Sequence, residues 1–288
     1  MARCPSFVLL AAAGVLALAA VTPAAPQTPR VRTELTVDQV VERANRVSYY
    51  QGTDGRARVQ MTITDGQGKK REREFTILRW DQPAPAGGKK DAAAAKDAFC
   101  GEQKSYIFFH RPADVNKTAF LVWKHLDKDD DRWLFLPGLN LVKRIASTDK
   151  RTSFVGSHFL YEDVSGRNIN QDKHELVETT AKYYKLKNTP KKPKEVEFAH
   201  FIMWIHRKTF VVVKIEYYDK QGKGYRTYEA LKFEKIQGYP TITKSRMTDN
   251  KMKGHTVLEY KDVRYDQKVP ENIFTERFLK RPPHEYLK

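Results

Sequence analysis

From Gln51 almost to the C-terminus, the chain is organised by a period of two. Val59, Met61 and Ile63 alternate with Arg58, Gln60, Thr62 and Thr64, and Asp65-Gly66 opens a turn into a second strand near residues 73–80. Further strand-like segments fall at 104–110, 119–125, 132–136, 141–145, 174–181, 196–205, 209–217, 225–233, 241–248 and 256–265. Turn signals at Asp219–Gly222, Gln237–Pro240 and Asn250–Gly254 separate several of them. In the clearest half-buried strand Val211, Val213, Ile215 and Tyr217 share one face, and Lys214 and Glu216 the other. Strands in hairpin order, without crossover helices, argue against a parallel βαβ sheet. They predict a mainly β fold with few helices (α+β), built as a curved antiparallel sheet or an open barrel.

One helix precedes the strands. Between Thr36 and Tyr50 a plausible N-cap (Thr36), a first-turn acid (Asp38) and a stripe of Val37, Val40, Val41, Ala44 and Val47 fit an amphipathic helix. That stripe must bury itself against the sheet. Pro83–Asp97, low in complexity and charged, reads as a surface loop inserted between two strands. Asn188–Glu195 reads as a second, basic loop, and Glu271–Leu279 as a short closing helix or turn.

The N-terminus fixes the compartment. Arg3, the apolar run Phe7–Ala20 and small residues at Ala17-Leu18-Ala19 or Ala24/Ala25 form a secretory signal peptide over residues 1–25. The run is short of the roughly 20 residues that span a bilayer. A leader at 26–35 and a single domain at 36–282 would follow. Export to the periplasm argues against nucleic acid, ATP or NAD(P)H as partners. The formal net charge of +17 suits an anionic membrane surface or other acidic envelope polymers, and equally a solvated basic surface. Cys4 leaves with the signal, so Cys100 is alone and no intramolecular disulfide forms.

No catalytic constellation is recognisable, and no catalytic residue, metal or cofactor is expected. G-x-S-x-G, Walker, H-E-x-x-H and paired C-x-x-C motifs are absent from the sequence. Asp127–Asp131 begins like a calcium loop, but Arg132 stands where the turn glycine belongs and Gly138 where the bidentate glutamate belongs, so it reads as an acidic hairpin tip. His158, Glu162 and Asp163 lie close in sequence, but no third and fourth metal ligand accompanies them. Tyr183 and Tyr184 beside Lys187–Lys194 have the composition of a single-strand binder, which export makes improbable.

Aromatic residues concentrate in the middle of the chain. A curved sheet closed by one helix can leave an apolar cavity there, with a filled core as the alternative. Trp123, Trp133, Phe135, Phe154 and Phe159 are the candidate lining residues for acyl chains, with face parity uncertain by one residue.

The order Leu121-Val-Trp-Lys124, Asp130-Asp-Arg-Trp-Leu-Phe-Leu-Pro137, Val142-Lys-Arg-Ile-Ala-Ser-Thr-Asp149, Ser153-Phe-Val-Gly-Ser157 and Phe159-Leu-Tyr-Glu-Asp163 resembles the outer membrane lipoprotein-sorting proteins, a LolA/LolB-like group. Lys143, Arg144, Gly156, Tyr161, Glu162 and Asp163 belong to this signature, and the likeness runs from about Val40 to Leu279. It implies an open, incomplete antiparallel β-barrel with an N-terminal helix, and short helices covering its mouth. It also implies an apolar interior for the acyl chains of a lipoprotein or lipid, carried across the periplasm, and no catalytic residue. The alternative is an adaptor of an RND-type or other inner-membrane transporter without its own cargo. Arg144 could orient a headgroup, although a structural salt bridge fits better.

Overall fold

The computed structural model describes residues 35–83 and 99–288. The expected signal peptide, most of the leader and most of the Pro83–Asp97 insertion lie outside the described residues. So does the side chain of Cys100.

Helix α1 (Val37–Tyr49) starts where the sequence places it. Thr36 Oγ1 accepts from Gln39 N at 3.3 Å and Gln39 Oε1 accepts from Thr36 N at 3.0 Å, a reciprocal capping box. Thirteen strands follow: β1 (Asp54–Asp65), β2 (Lys70–Pro83), β3 (Phe99–Arg111), β4 (Ala119–Lys124), β5 (Asp131–Leu136), β6 (Leu141–Arg144), β7 (Asp172–Thr179), β8 (Tyr183–Pro190), β9 (His200–His206), β10 (Val212–Tyr218), β11 (Gly224–Ile236), β12 (Tyr239–Asp249) and β13 (Gly254–Tyr265). They form one antiparallel sheet in the order β6-β5-β4-β3-β2-β1-β13-β12-β11-β10-β9-β8-β7. Two meanders, β1–β6 and β7–β13, therefore join through the β1–β13 pair, and β6 and β7 remain unpaired edges. Among the described residues three short α-helices accompany the sheet: α2 (Tyr161–Ser165), α3 (Glu276–Lys280) and α4 (His284–Leu287). This is the open, helix-poor antiparallel architecture expected from the sequence.

Two hairpins use one device. Asp65 Oδ1 accepts from Gln67 N and Lys69 N, both at 3.0 Å, and Asp219 Oδ1 accepts from Gln221 N at 3.0 Å and Lys223 N at 2.9 Å. Gly68 and Gly222 then take φ of 80° and 78°, which favours glycine.

Strand β8 corrects the sequence reading, which placed a loop from Asn188 and no strand before it. Its inward positions are Tyr184, Leu186 and Asn188, so the expected apolar alternation is broken by a fully buried amide. His174 Nδ1, 2.7 Å from Asn188 Oδ1, completes that amide's bonding. Strand β10 carries a second correction. A bulge between Val212 and Lys214 shifts the parity, so Val212 rather than Val213 joins Ile215 and Tyr217 on the inner face.

The sheet is apolar on both faces across β2–β5. Phe75, Ile107, Phe109, Phe120, Val122 and Leu134 face inward, packing with Phe154, Phe159 and Tyr161 from the segment between β6 and β7. Leu78, Tyr106, Phe108, Leu121, Trp133 and Phe135 face outward and are covered by Val269, Ile273, Phe274, Leu279 and Leu287. Tyr106 OH donates to Phe278 O and Trp123 Nε1 to Phe274 O, both at 2.8 Å, which fastens this C-terminal strap. Across the other half, α1 buries Val40, Val41 and Ala44 against Leu186, Ile205 and Val212. The helix stripe thus fills one end of the half-barrel and leaves the middle open.

Candidate functional site

A cavity of about 360 Å³ lies between the inner face of the sheet, α1 and the segment from Arg151 to Asp172. That is within the roughly 300–1,000 Å³ range of small-molecule pockets. Met61, Phe75, Ile77, Ile107, Phe154, Phe159, Met247 and Leu258 form its apolar wall. Val41, Ala44, Val47 and Tyr49 of α1 supply the opposite side.

Of the five lining candidates from the sequence, only Phe154 and Phe159 face this cavity. Trp133 and Phe135 sit on the outer face under the C-terminal strap. Trp123 lies in an outer groove with Trp80, where the Lys104 ammonium stands over the two rings at 5.0 and 5.5 Å respectively. The reason is parity. Trp133 pairs with Leu121, Leu121 with Tyr106, and Tyr106 with Leu78, so that whole row points outward. Both faces of these strands are buried, and composition alone does not tell them apart.

Of the other signature residues only Asp163 lines the cavity. Tyr161 packs against Phe120 and Phe154 at centroid distances of 5.2 and 5.5 Å. Glu162, 3% exposed, accepts from Arg151 at 2.7 Å and from Arg167 at 3.2 Å, with Lys150 at 3.7 Å. Asp163 pairs with Arg226 and accepts from Leu160 N at 2.6 Å. Gly156 occupies a tight turn at φ 73°. Lys143 is exposed, and Arg144 makes its salt bridge to Asp131 beside the Trp133 ring. His158 does not join Glu162: it precedes α2, and its Nδ1 lies 2.8 Å from Thr256 Oγ1. At the acidic hairpin, Asp129, Asp130 and Asp131 pair with Lys150, Arg132 and Arg144.

Arg151 and Arg167 reach the cavity wall, but both are committed. Arg151 also holds Glu197, and Arg167 holds Asp172 at 2.8 and 3.0 Å. Desolvation opposes ionisation of Glu197, yet Arg151's hydrogen bond and charge hold its carboxyl down to about 2. None of these partners was visible as a group in the sequence. Their one signal was the adjacent acids Glu162-Asp163 inside an otherwise apolar stretch.

At the α1 end, Arg79 donates to Tyr49 O at 2.8 Å and to Gln51 O, and Gln103 Nε2 also donates to Tyr49 O at 2.8 Å, which satisfies the helix's last carbonyls. Asp81 sits beside them, 3.3 Å from Arg79. Burial raises its carboxyl to about 6, against the pull of Arg79 and Gln103. The folded state thus holds a proton here that the unfolded state has lost between its ordinary pKa and about 6. Stability at this site rises as pH falls from 7 towards 4, by at most about 1.4 kcal/mol per pH unit. In urea titrations, Asp81→Asn should flatten that window relative to wild type; an unchanged slope would show that Asp81 ionises normally.

These features define a class: an open antiparallel half-barrel that carries an apolar cavity under an N-terminal helix. A family described as "Uncharacterized protein" matches residues 101–281. A DUF1329 family protein from Desulfovibrio piger is 29% identical, with a TM-score of 0.71, covering 84% of this chain and 98% of that one. A domain from Vibrio parahaemolyticus described as an outer membrane lipoprotein-sorting protein is 25% identical, with a TM-score of 0.70, covering 85% of this chain and 100% of that one. A LolA superfamily protein from Nitrosomonas europaea shares the fold at 20% identity and a TM-score of 0.61, covering 85% of this chain and 100% of that one. No curated protein sequence matches the chain. The chain belongs to the family matched over residues 101–281, and in fold it is LolA-like, similar to the lipoprotein-sorting domain from Vibrio parahaemolyticus.

Proposed function

We propose that this protein is a periplasmic carrier that shields the acyl chains of a lipoprotein or lipid during transfer towards the outer membrane. The observation that carries the reading is the cavity itself, enclosed by α1 and walled by Phe75, Ile77, Ile107, Phe154, Phe159 and Leu258. Each methylene moved from water into such a wall contributes about 0.8 kcal/mol, so even a partly inserted chain is held firmly. Kinship with a lipoprotein-sorting domain supports the same reading.

Native mass spectrometry with lipid extraction, on mature protein isolated from its own periplasm, tests it. A stoichiometric lipid or acylated protein is expected. Empty protein that also refuses a fluorescent acyl probe would shift the reading to a transporter adaptor without cargo.

A further inference from the structure

The cavity is not uniformly apolar. Tyr49 of α1, Tyr217 of β10, Tyr228 of β11 and Tyr260 of β13 all line it. Burial raises all four phenols, Tyr217 and Tyr260 to about 12. Tyr49 also lies close enough to Tyr217, Tyr228 and Tyr260 to feel each of them. Between Tyr228 and Tyr260, on β12, stands Ser245, which interacts with both phenols and offsets part of their shift. Ser245 Oγ and the neighbouring Thr243 Oγ1 are buried without a completed hydrogen bond among the described residues.

This departs from how the protein treats tyrosines elsewhere. Tyr50 OH donates to Gly101 O at 3.1 Å, Tyr106 OH to Phe278 O at 2.8 Å and Tyr225 OH to Glu197 at 3.0 Å. Apart from the Ser245 contact, the four cavity phenols form no such bond among the described residues. Tyr49, Tyr228 and Tyr260 are half-buried and open onto the cavity, where a ligand can supply the partner that a tyrosine hydroxyl ordinarily finds. Strand β12 lies mid-sheet, yet it turns Thr241, Thr243 and Ser245 inward where apolar residues would be ordinary.

The cavity's cations do not complement this polar spot. Arg151, Arg167 and Arg79 are tied to Glu162 and Glu197, to Asp172, and to Asp81 with the α1 carbonyls. Arg56, also on the lining, pairs in register with outward-facing Leu78. Among the described residues the guanidiniums of Arg151, Arg167 and Arg79 are already paired, and Arg56, whose Nε has no hydrogen-bond partner, sits at an outward register position, so a phosphate, whose burial unpaired is strongly unfavourable, meets no ready counter-ion on the inner face.

We infer that the cavity selects a neutral lipid with an uncharged hydrogen-bonding group, a hydroxyl or ester carbonyl, placed inside against the phenols of Tyr228 and Tyr260. The inference rests on the carrier reading and adds its ligand class. The alkyl portion packs on Phe75, Ile77 and Leu258, while the polar group satisfies hydroxyls that the protein leaves open. A plain hydrocarbon leaves them open still, and an anionic headgroup is excluded from the interior.

The test compares three probes, 1,2-dioctanoylglycerol, hexadecane and dioctanoylphosphatidylglycerol, by displacement of a fluorescent acyl probe from wild type and from the double variant Tyr228→Phe/Tyr260→Phe. Circular dichroism and thermal melting confirm that the variant folds. Dioctanoylglycerol should bind the variant about tenfold more weakly, the factor of one ordinary lost hydrogen bond, with hexadecane unchanged. Equal loss for both probes, no loss for either, or tighter binding of the phosphatidylglycerol than of the diacylglycerol would overturn the ligand class and leave the carrier reading standing. If wild type binds no probe at all, both fall.

Discussion

Glu162→Ala is expected to destabilise the folded protein by about 3–5 kcal/mol, because it breaks a buried ion pair by removing one partner. Glu162 is 3% exposed and receives Arg151 at 2.7 Å and Arg167 at 3.2 Å. Arg151 itself is 9% exposed on its side chain and Arg167 14%, so neither can turn to bulk water without opening the segment between β6 and β7. With Glu162 gone, Glu197 and Asp172 remain as partners, which sets the lower end of the range. Glu197→Ala is the comparison. Its side chain is 39% exposed, solvent screens the pair, and a loss of at most about 1 kcal/mol is expected. Urea denaturation of both variants decides the matter. For a domain of this size the Glu162 change corresponds to a drop in melting temperature of about 10 °C. A loss below 1 kcal/mol for Glu162→Ala would mean that water already reaches the arginines. Since Phe154, Phe159 and Val164 lie in the same segment and line the cavity, loosening it also removes part of the cavity's wall.

Much of the fold was legible because local signals agreed with it. Thr36, Asp38 and the valine stripe placed α1 within a residue, and aspartate-led turns with a glycine at positive φ placed hairpin ends. What was illegible has a common physical origin: residues that are buried for reasons other than being apolar. Asn188 hid β8 because an amide occupies a core position and finds its partner on β7, fourteen residues upstream. Trp123, Trp133 and Phe135 misled because β2–β5 are covered on both sides, and no feature of the strand itself reveals which cover is the strap and which the cavity. The closing segment after Glu271 was visible as a short helix, but not as the lid on the outer face. The tyrosines of the cavity were each an ordinary helix or strand residue in sequence. Only the register that sets Tyr260 and Ser245 on adjacent strands brings them together. The inward hydroxyls at Thr241, Thr243 and Ser245 were the one available hint, a period-two pattern with the wrong chemistry for a central strand.

Ile77→Glu should weaken binding of a fluorescent acyl probe about a hundredfold while the protein stays folded. Ile77 lines the cavity and is only half-buried, so its accessible surface is cavity surface and a carboxylate there remains hydrated in the empty protein. Bringing an alkyl chain against it strips that hydration, an unfavourable step of about 3 kcal/mol even with partial neutralisation, and this is the hundredfold. Ile107, 1% exposed and paired with Ile77 across β2 and β3, would be the wrong place for the charge, because its variant pays the same penalty on folding. The matched control is Trp123→Ala. It lies one strand beyond β3 on the outer face, with its indole N–H on Phe274 O, so its removal loosens the C-terminal strap and leaves probe affinity unchanged. Titration of the probe into wild type and both variants separates the two faces of the sheet. If Trp123→Ala loses the probe and Ile77→Glu keeps it, acyl chains bind in the outer groove and the cavity under α1 serves another purpose.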